Sequence, residues 1–455
     1  MMTYQDFAAY GSVPEAIGKL IGEHKTDSMT TTALEADEYD HQRNTTIRNF
    51  VQKIFTASGA QIQNVVASNN RRASNLFRRL NTQRCTYSLG NGVTFAQEGS
   101  KDKLGGQTFD ARLKSAAYKS LIHGVSFLFL NVDEVYVFPL TEFAPLYDEN
   151  TGALRAGVRY FSVAKDKPVT AVLYEEDGYS EYTAKPGDQY RLTLPKRGYI
   201  RKYAEAPADE APVLIGEENY SALPIIPLWG SELHQSTLVG LKDGIDNYDL
   251  ISNGWANDIR DCAQVYWLLE NYGGMRAEDL AEFRSRLLYQ HIATADTSDG
   301  GKITPYTQEI PYAARESYLN MLRRDIYADY GALDVSQISA SAKTATEIRA
   351  AYQPIDENAD DFEYQIITAV QRLLALVGVE DTPEFKRNRI ANLSEEVEMV
   401  MLERDVLGDE YTLRKLPNVT PEEADEILRQ RDEMELSRMD AATDEQTDEE
   451  PDLIE

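Results

Sequence analysis

The chain has 455 residues, enough for two or three domains, with 42% hydrophobic and 10% aromatic residues, an ordinary globular composition. A net charge of −29 argues against a protein that grips nucleic acid tightly, because phosphate binding needs clustered Lys and Arg. Two cysteines, Cys85 and Cys262, exclude a disulfide framework and a cysteine-based zinc site, and no apolar run reaches the ~18 residues that span a bilayer.

Residues 1–39 are polar, with one helical piece around 13–23. MMTYQDFAAYGS lacks a charged n-region before an apolar core, so the expectation is a protein made and used in a cytoplasm. From Tyr39, YDHQRNTTIRNFVQKIF reads as a helix, and NNRRASNLFRRLNTQRCTYSL as another. The second carries Arg71, Arg72, Arg78, Arg79 and Arg84, the one basic region of an acidic chain. Phosphate or the acidic surface of a partner subunit would both suit it. Asn91-Gly92 is a turn signal, since both residue types tolerate positive φ. A helix over 108–123 ends at Gly124, and His123 in its last turn is expected to serve the helix dipole.

Residues 125–203 change character. VSFLFL, EVYVFPL, LRAGVRYF, VTAVLYE, YSEYTA, QYRLTL and YIRKY are short, aromatic and β-branched, with turn residues between them, and predict an antiparallel sheet of hairpins.

Three long helical patterns follow. The first, over 236–262, places Leu238, Leu241, Ile245, Tyr248, Ile251, Trp255, Ile259 and Cys262 three or four residues apart on one face. Asp243, Asp246, Asn253, Asn257 and Asp261 gather on the other. The second, over 311–333, opens at Pro311 and repeats the spacing with Leu319, Leu322, Ile326, Tyr330 and Leu333. The third opens at Thr344, which forms a capping box with Glu347, and runs through Ile348, Tyr352, Ile355, Phe362, Ile366, Val370, Leu373 and Val377. Pro354 lies inside it and should kink it. Residues 263–310 read as strand, short helix, strand; 334–343 as a loop of small residues; 384–391 as a strand-like piece. Further helices lie over 393–439, and an acidic tail begins at Asp440.

No phosphate loop, dinucleotide fingerprint, zinc-protease motif or nucleophile elbow is present, and the five histidines are not at metal-ligand spacing. Neither a catalytic residue, nor a metal, nor a cofactor is therefore expected. The order of parts resembles the portal proteins of tailed bacteriophages, of the type seen in long-tailed phages of Gram-positive hosts. The carrying stretches are 69–95, 119–130, 143–161, 223–232 and above all LVGLKDGIDNYDLISNGWANDIRDCAQVYWLLENYGG at 238–274.

The resemblance implies an α+β portal-type fold. It would comprise an N-terminal arm (1–39), a wing of helices and antiparallel sheet (40–235), stem helices over 236–262 and 311–333, and a small α/β clip (263–310). A tunnel loop (334–343), a kinked helix with the rest of the wing (344–392), a helical crown (393–439) and an acidic tail (440–455) would complete it. It also implies a homo-oligomeric ring of twelve subunits at one capsid vertex of the virion, through which double-stranded DNA passes without sequence specificity and without any membrane. The terminase large subunit and then a head-completion or adaptor protein would dock on the clip, with Glu278, Glu282, Arg284 and Arg286 as candidate contacts. Major capsid and scaffolding proteins would be further partners. Ser336, Gln337, Ser339, Ser341 and Lys343 would face DNA at the constriction. Asp243, Asp246, Asn253, Asn257 and Asp261 would line the stem channel. Twelve copies carry about −350 formal charge, so DNA would meet a slippery wall. Two other readings are a shorter-type head–tail adaptor, which the length opposes, and a nuclease built on carboxylates.

Overall fold

The computed structural model describes residues 2–55, 59–63, 68–164, 166–185, 187–204, 213–262, 266–270, 276–279, 281–282, 285, 302–306, 312–335, 345–388, 400–402, 404, 408–416, 419, 424 and 426–431. They fall into two units, Met1–Asn388 and Arg389–Glu455.

In the first unit, residues 2–39 of the expected N-terminal arm are folded. They form α1 (Tyr4–Ala8), α2 (Val13–Thr26) and most of α3 (Ser28–Asp40). Thr3 and Asp6 make a capping box at the first helix, and Asp27 caps the third by accepting from Met29 N. Ala16, Ile17, Leu20 and Ile21 are buried against Leu146, Val158 and Leu173 of a sheet. Apolar spacing on α2 thus joins these residues to the core.

The helix expected from Tyr39 onward is interrupted: α3 stops at Asp40, α4 (Thr45–Asn49) is one short turn, and β1 (Lys53–Phe55) pairs with β2 (Gln61–Gln63). The β-branched pair Thr45-Thr46 and the cap Asn44, which accepts from Ile47 N, break the pattern. The next helix is shorter than expected, α5 (Leu76–Leu89), and residues 68–73 before it are extended or irregular.

After α6 (Gln107–His123), the hairpins do not make one sheet. β4 (Val125–Asn131), β5 (Glu134–Pro139) and β13 (Ile225–Trp229) form a three-stranded antiparallel sheet in the order β13-β4-β5. β6 (Phe143–Tyr147), β7 (Leu154–Phe161), β8 (Val169–Glu175), β9 (Gly178–Ala184) and β10 (Arg191–Arg197) form a five-stranded meander. β11 (Ile200–Tyr203) pairs with β12 (Leu214–Glu218) in a separate two-stranded sheet of the described residues. Sequence reading passed over β6, which Pro145 and its brevity hide, and also β12 and β13. The sheets meet through Phe127, Phe129, Phe138, Phe143 and Tyr174. Gly157 sits under Phe143: a Cβ there would lie 2.1 Å from the ring, so only glycine admits this packing.

The main core lies between α6, the β13-β4-β5 sheet and the longest helix, α9 (Ala345–Leu376). Phe362, Ile366, Val370 and Leu373 of its expected stripe are buried there, and Tyr352 and Ile355 pack in a separate cluster. At about 2 kcal/mol for each fully buried large apolar side chain, this stripe supplies most of what holds the helix. α9 continues through Pro354, which removes a single backbone hydrogen bond. Thr344 lies outside the described residues. β16 (Glu384–Phe385) pairs with β3 (Val93–Thr94) beside the Asn91-Gly92 turn, where Gly92 has φ +73°.

The second unit contributes α10 (Asp409–Lys415) and helical residues 400–402, 404, 424 and 426–431.

Candidate functional site: a long helix pair and its polar seam

The first and second long patterns fold as α7 (Leu238–Cys262) and α8 (Tyr312–Tyr330), about 37 and 28 Å long. Ser236 starts α7: its hydroxyl accepts from Leu238 N at 3.1 Å and donates to Ile122 O at 2.5 Å. The pair is antiparallel. Gly244 faces Ile326, where a Cβ would come within 3.1 Å; farther along α7, Trp255 meets Tyr312 at 6.3 Å between ring centroids, and Asp258 pairs with Arg315. The chain leaves α7 into β14 (Tyr266–Glu270), which pairs with β15 (Lys302–Tyr306) before α8. Residues 277–279, 281–282 and 285 in between are helical. Strand, helix, strand is the order expected for 263–310.

The apolar stripe of α7 is buried only at its start. Leu238, Leu241 and Ile245 pack with Phe77, Leu80, Ile326, Tyr327 and Tyr330. Ile251 and Ile259 are exposed in the single chain. Asn81 ties this end together, accepting from the Thr237 and Tyr330 hydroxyls, each at 2.9 Å.

The polar side reverses the expectation. Asp246, Asn253 and Asn257 do not face open water: they are 8%, 6% and 4% exposed, and Asp249 between them is 2% exposed. They are covered by residues 39–46 and 70–74. Asn70 N donates to Asn257 Oδ1 at 2.7 Å, Arg72 N to Asn253 Oδ1 at 2.9 Å, and Ser74 N to Asp249 Oδ1 at 3.0 Å. Asn253 Nδ2 returns a bond to Arg72 O at 2.8 Å.

The match is geometric. Four residues of helix rise about 6 Å, and two residues of extended chain about 6.7 Å. Alternate amides of the 70–74 segment therefore meet successive turns of α7, running antiparallel to it. A segment with no strand partner satisfies its backbone on helix side chains instead. The signal was present as Asp, Asp, Asn, Asn spaced by three, four and four, residue types that a mid-helix position tolerates best when their polar atoms are used.

Above this seam lies a charged knot. Lys242 Nζ contacts Asp246 Oδ2 at 2.7 Å, Thr46 Oγ1 at 3.0 Å and Glu35 Oε1 at 3.6 Å, and Tyr39 OH and Asn44 Nδ2 donate to Asp246 Oδ1. Burial works against the Lys242 charge, but Asp246 and Tyr39 outweigh it and hold the ammonium above its ordinary range. The Asp246 carboxyl is held low against its burial by Lys242, Tyr39 and Thr46. Burial pushes Asp249 up, although Ser74 and Asn44 donate to it.

Among the five expected channel residues, Asp243 is exposed, and the Asp261 side chain lies outside the described residues. Glu278 and Glu282 are exposed on helical residues, whereas Arg284 and Arg286 lie outside the described residues, as do Ser336, Gln337, Ser339, Ser341 and Lys343. Of the basic region, Arg84 turns inward: it donates to Asn358 O at 2.9 Å and lies over the Phe362 ring at 5.1 Å. Nor does His123 serve the helix dipole. It is fully buried and donates through Nε2 to Asp37 Oδ2 at 3.0 Å, with Lys119 on the other oxygen at 2.9 Å. Burial raises the Asp37 carboxyl, but these two partners outweigh it and bring it to about 2. Among the described residues no group of acidic, His and Cys side chains is arranged to hold a metal.

Residues 21–435 match the family model described as phage portal protein, SPP1 Gp6-like. The portal protein of Bacillus phage SPP1 is 26% identical over 455 aligned positions, covering 92% of this chain and 86% of that one. The portal protein of Clostridium phage phiCD119 is 25% identical over 235 positions, covering 49% and 51%. A chain from the solved neck of a native gene transfer agent particle aligns with a TM-score of 0.44 at 11% identity, over 76% of this chain and 90% of that one. Matched over most of its length, the chain belongs to the phage portal protein family and is a structural, non-enzymatic component of a phage particle, built as a multi-subunit ring.

Proposed function

We propose that twelve copies close into the ring, in the host cytoplasm, and occupy one vertex of the capsid. Double-stranded DNA is driven in through the central channel during packaging and leaves by it at ejection. The observation that carries this reading is the antiparallel α7–α8 pair, two long helices joined at one end through the β14–β15 ribbon, in a chain of −29 net charge. Repeated around an axis, such pairs make a stem whose wall repels phosphate and holds DNA only weakly.

In this arrangement 40–235 and 344–392 form the wing, 236–262 and 311–333 the stem, 263–310 the clip, 334–343 the tunnel loop and 393–439 the crown. The clip, with Glu278, Glu282, Arg284 and Arg286, receives the terminase large subunit and later the head-completion or adaptor protein; major capsid and scaffolding proteins surround the wing. Buried Asp246, Asn253 and Asn257 drop out of the channel lining, which leaves Asp243 and Asp261 on the stem. Ser336, Gln337, Ser339, Ser341 and Lys343 approach DNA at the narrowest point.

Negative-stain electron microscopy of the purified chain, with native mass on the same sample, tests the ring. Rings of twelve with a central hole are expected. A small closed oligomer without a channel would overturn the reading.

A further inference from the structure

A cleft of about 290 Å³ lies at the start of α5, away from the stem residues assigned above to DNA. Arg72, Arg79 and Arg323 line it, with Leu76, Tyr248 and Ser252. Three arginines lining one cleft are unusual in a chain with 75 acidic and 46 basic residues. Arg323 is held by Asp334 at 3.0 Å. Among the described residues, the guanidiniums of Arg72 and Arg79 have no hydrogen-bond or ion-pair partner. Asp249 is the one carboxylate in the wall, and it is occupied: Ser74 N donates to it at 3.0 Å and Asn44 Nδ2 at 2.9 Å. The cleft thus has donors to spare and an apolar side formed by Leu76 and the Tyr248 ring.

We propose that this cleft is a subunit-docking site that takes an acidic side chain, Asp or Glu, from a neighbouring copy of the same chain. The inference rests on the ring reading and names a contact that closes the ring. Two features select a copy over DNA. The cleft has room for one or two side chains, whereas a duplex offers a continuous row of phosphates, one per about 3.4 Å of axis along each strand. Charge complementarity also points to a copy, since the chain carries 75 acidic against 46 basic residues and so offers carboxylates in excess. Arginine suits the role because its planar fork meets a carboxylate through two parallel hydrogen bonds.

The test is made on the full chain. Arg79→Glu should raise the concentration for half-assembly by about tenfold or more, measured by native mass and sedimentation, with an unchanged melting temperature. Arg79→Lys keeps the charge and should assemble close to wild type; its amine also permits a zero-length carbodiimide cross-link. In mixed ¹⁴N and ¹⁵N subunits that cross-link should join unlike-labelled copies through an Asp or Glu. Wild-type rings that Arg79→Glu leaves unchanged, or cross-links confined to one copy, would overturn the inference alone. Loss of retention on short duplex DNA with assembly intact would make the cleft a phosphate site and also overturn it. A wild-type chain that forms no ring would overturn the ring reading, and this inference with it.

Discussion

The seam between α7 and residues 70–74 yields the sharpest prediction. Asn253 turns both ends of its amide on Arg72, Oδ1 accepting from Arg72 N and Nδ2 donating to Arg72 O, while Nδ2 also donates to Asp249 O of its own helix at 2.8 Å. Asn253→Ala removes both bonds to Arg72 and leaves a backbone donor and acceptor beside a buried helix face. Each bond is worth about 1 kcal/mol net, and a stranded buried group costs more. The segment is half-buried, so about 2 kcal/mol is expected against local opening of 70–74. That corresponds to roughly 30-fold faster amide exchange. Hydrogen exchange with mass spectrometry on a peptide covering 68–76 measures it, and trypsin cleavage after Arg71 and Arg72 should quicken in parallel. Asn253→Asp should be at least as damaging, because a carboxylate oxygen would face the Arg72 carbonyl. Unchanged exchange in a folded Asn253→Ala chain would refute the claim that α7 side chains hold this segment.

Four further outcomes are expected. His24 is fully buried between Tyr160 OH at 3.0 Å and Thr30 Oγ1 at 3.2 Å, and burial lowers it to about 4. The unfolded chain therefore binds the extra proton first, and stability is lost as pH falls from about 6.5 to 4, by up to about 3 kcal/mol. Urea midpoints for wild type should drop over that window, while His24→Gln should drop much less; parallel curves would refute the assignment. Arg387 gathers Asp356, Asp360 and Glu363 of α9, with Glu363 itself buried, so Arg387→Ala should cost about 3 kcal/mol in urea unfolding; a change under about 0.5 kcal/mol would show the cluster to be solvent-screened. Lys343→Glu phage should package less DNA than wild type, and normal yield would remove Lys343 from the constriction's DNA contacts. On the proposed assignment of 334–343, Pro354→Ala should also lower packaging by stiffening α9, and normal packaging would show that no bend is needed there.

Sequence by itself determined the long helices, the hairpin strands and the family. Apolar residues three or four apart can share a face only on a helix, and period-two β-branched stretches between turn residues can bury one face only as strands. These are local rules, so α7, α8, α9 and β4, β5, β7, β8 and β9 lay where the spacing put them. Tertiary structure decided which faces are wet. The Asp and Asn row on α7 looked like a solvent face because nothing in its own neighbourhood could use it; the users are Asn70, Arg72 and Ser74, some 175 to 187 residues earlier. Likewise, residues 1–39 carried no sign of what buries Ile17 and Leu20, because that sheet is made more than a hundred residues later. His123 looked like a dipole partner until α3 placed Asp37 against it. A polar residue's role depends on which donor or acceptor the fold brings within 3 Å, and periodicity along one element carries no record of that partner.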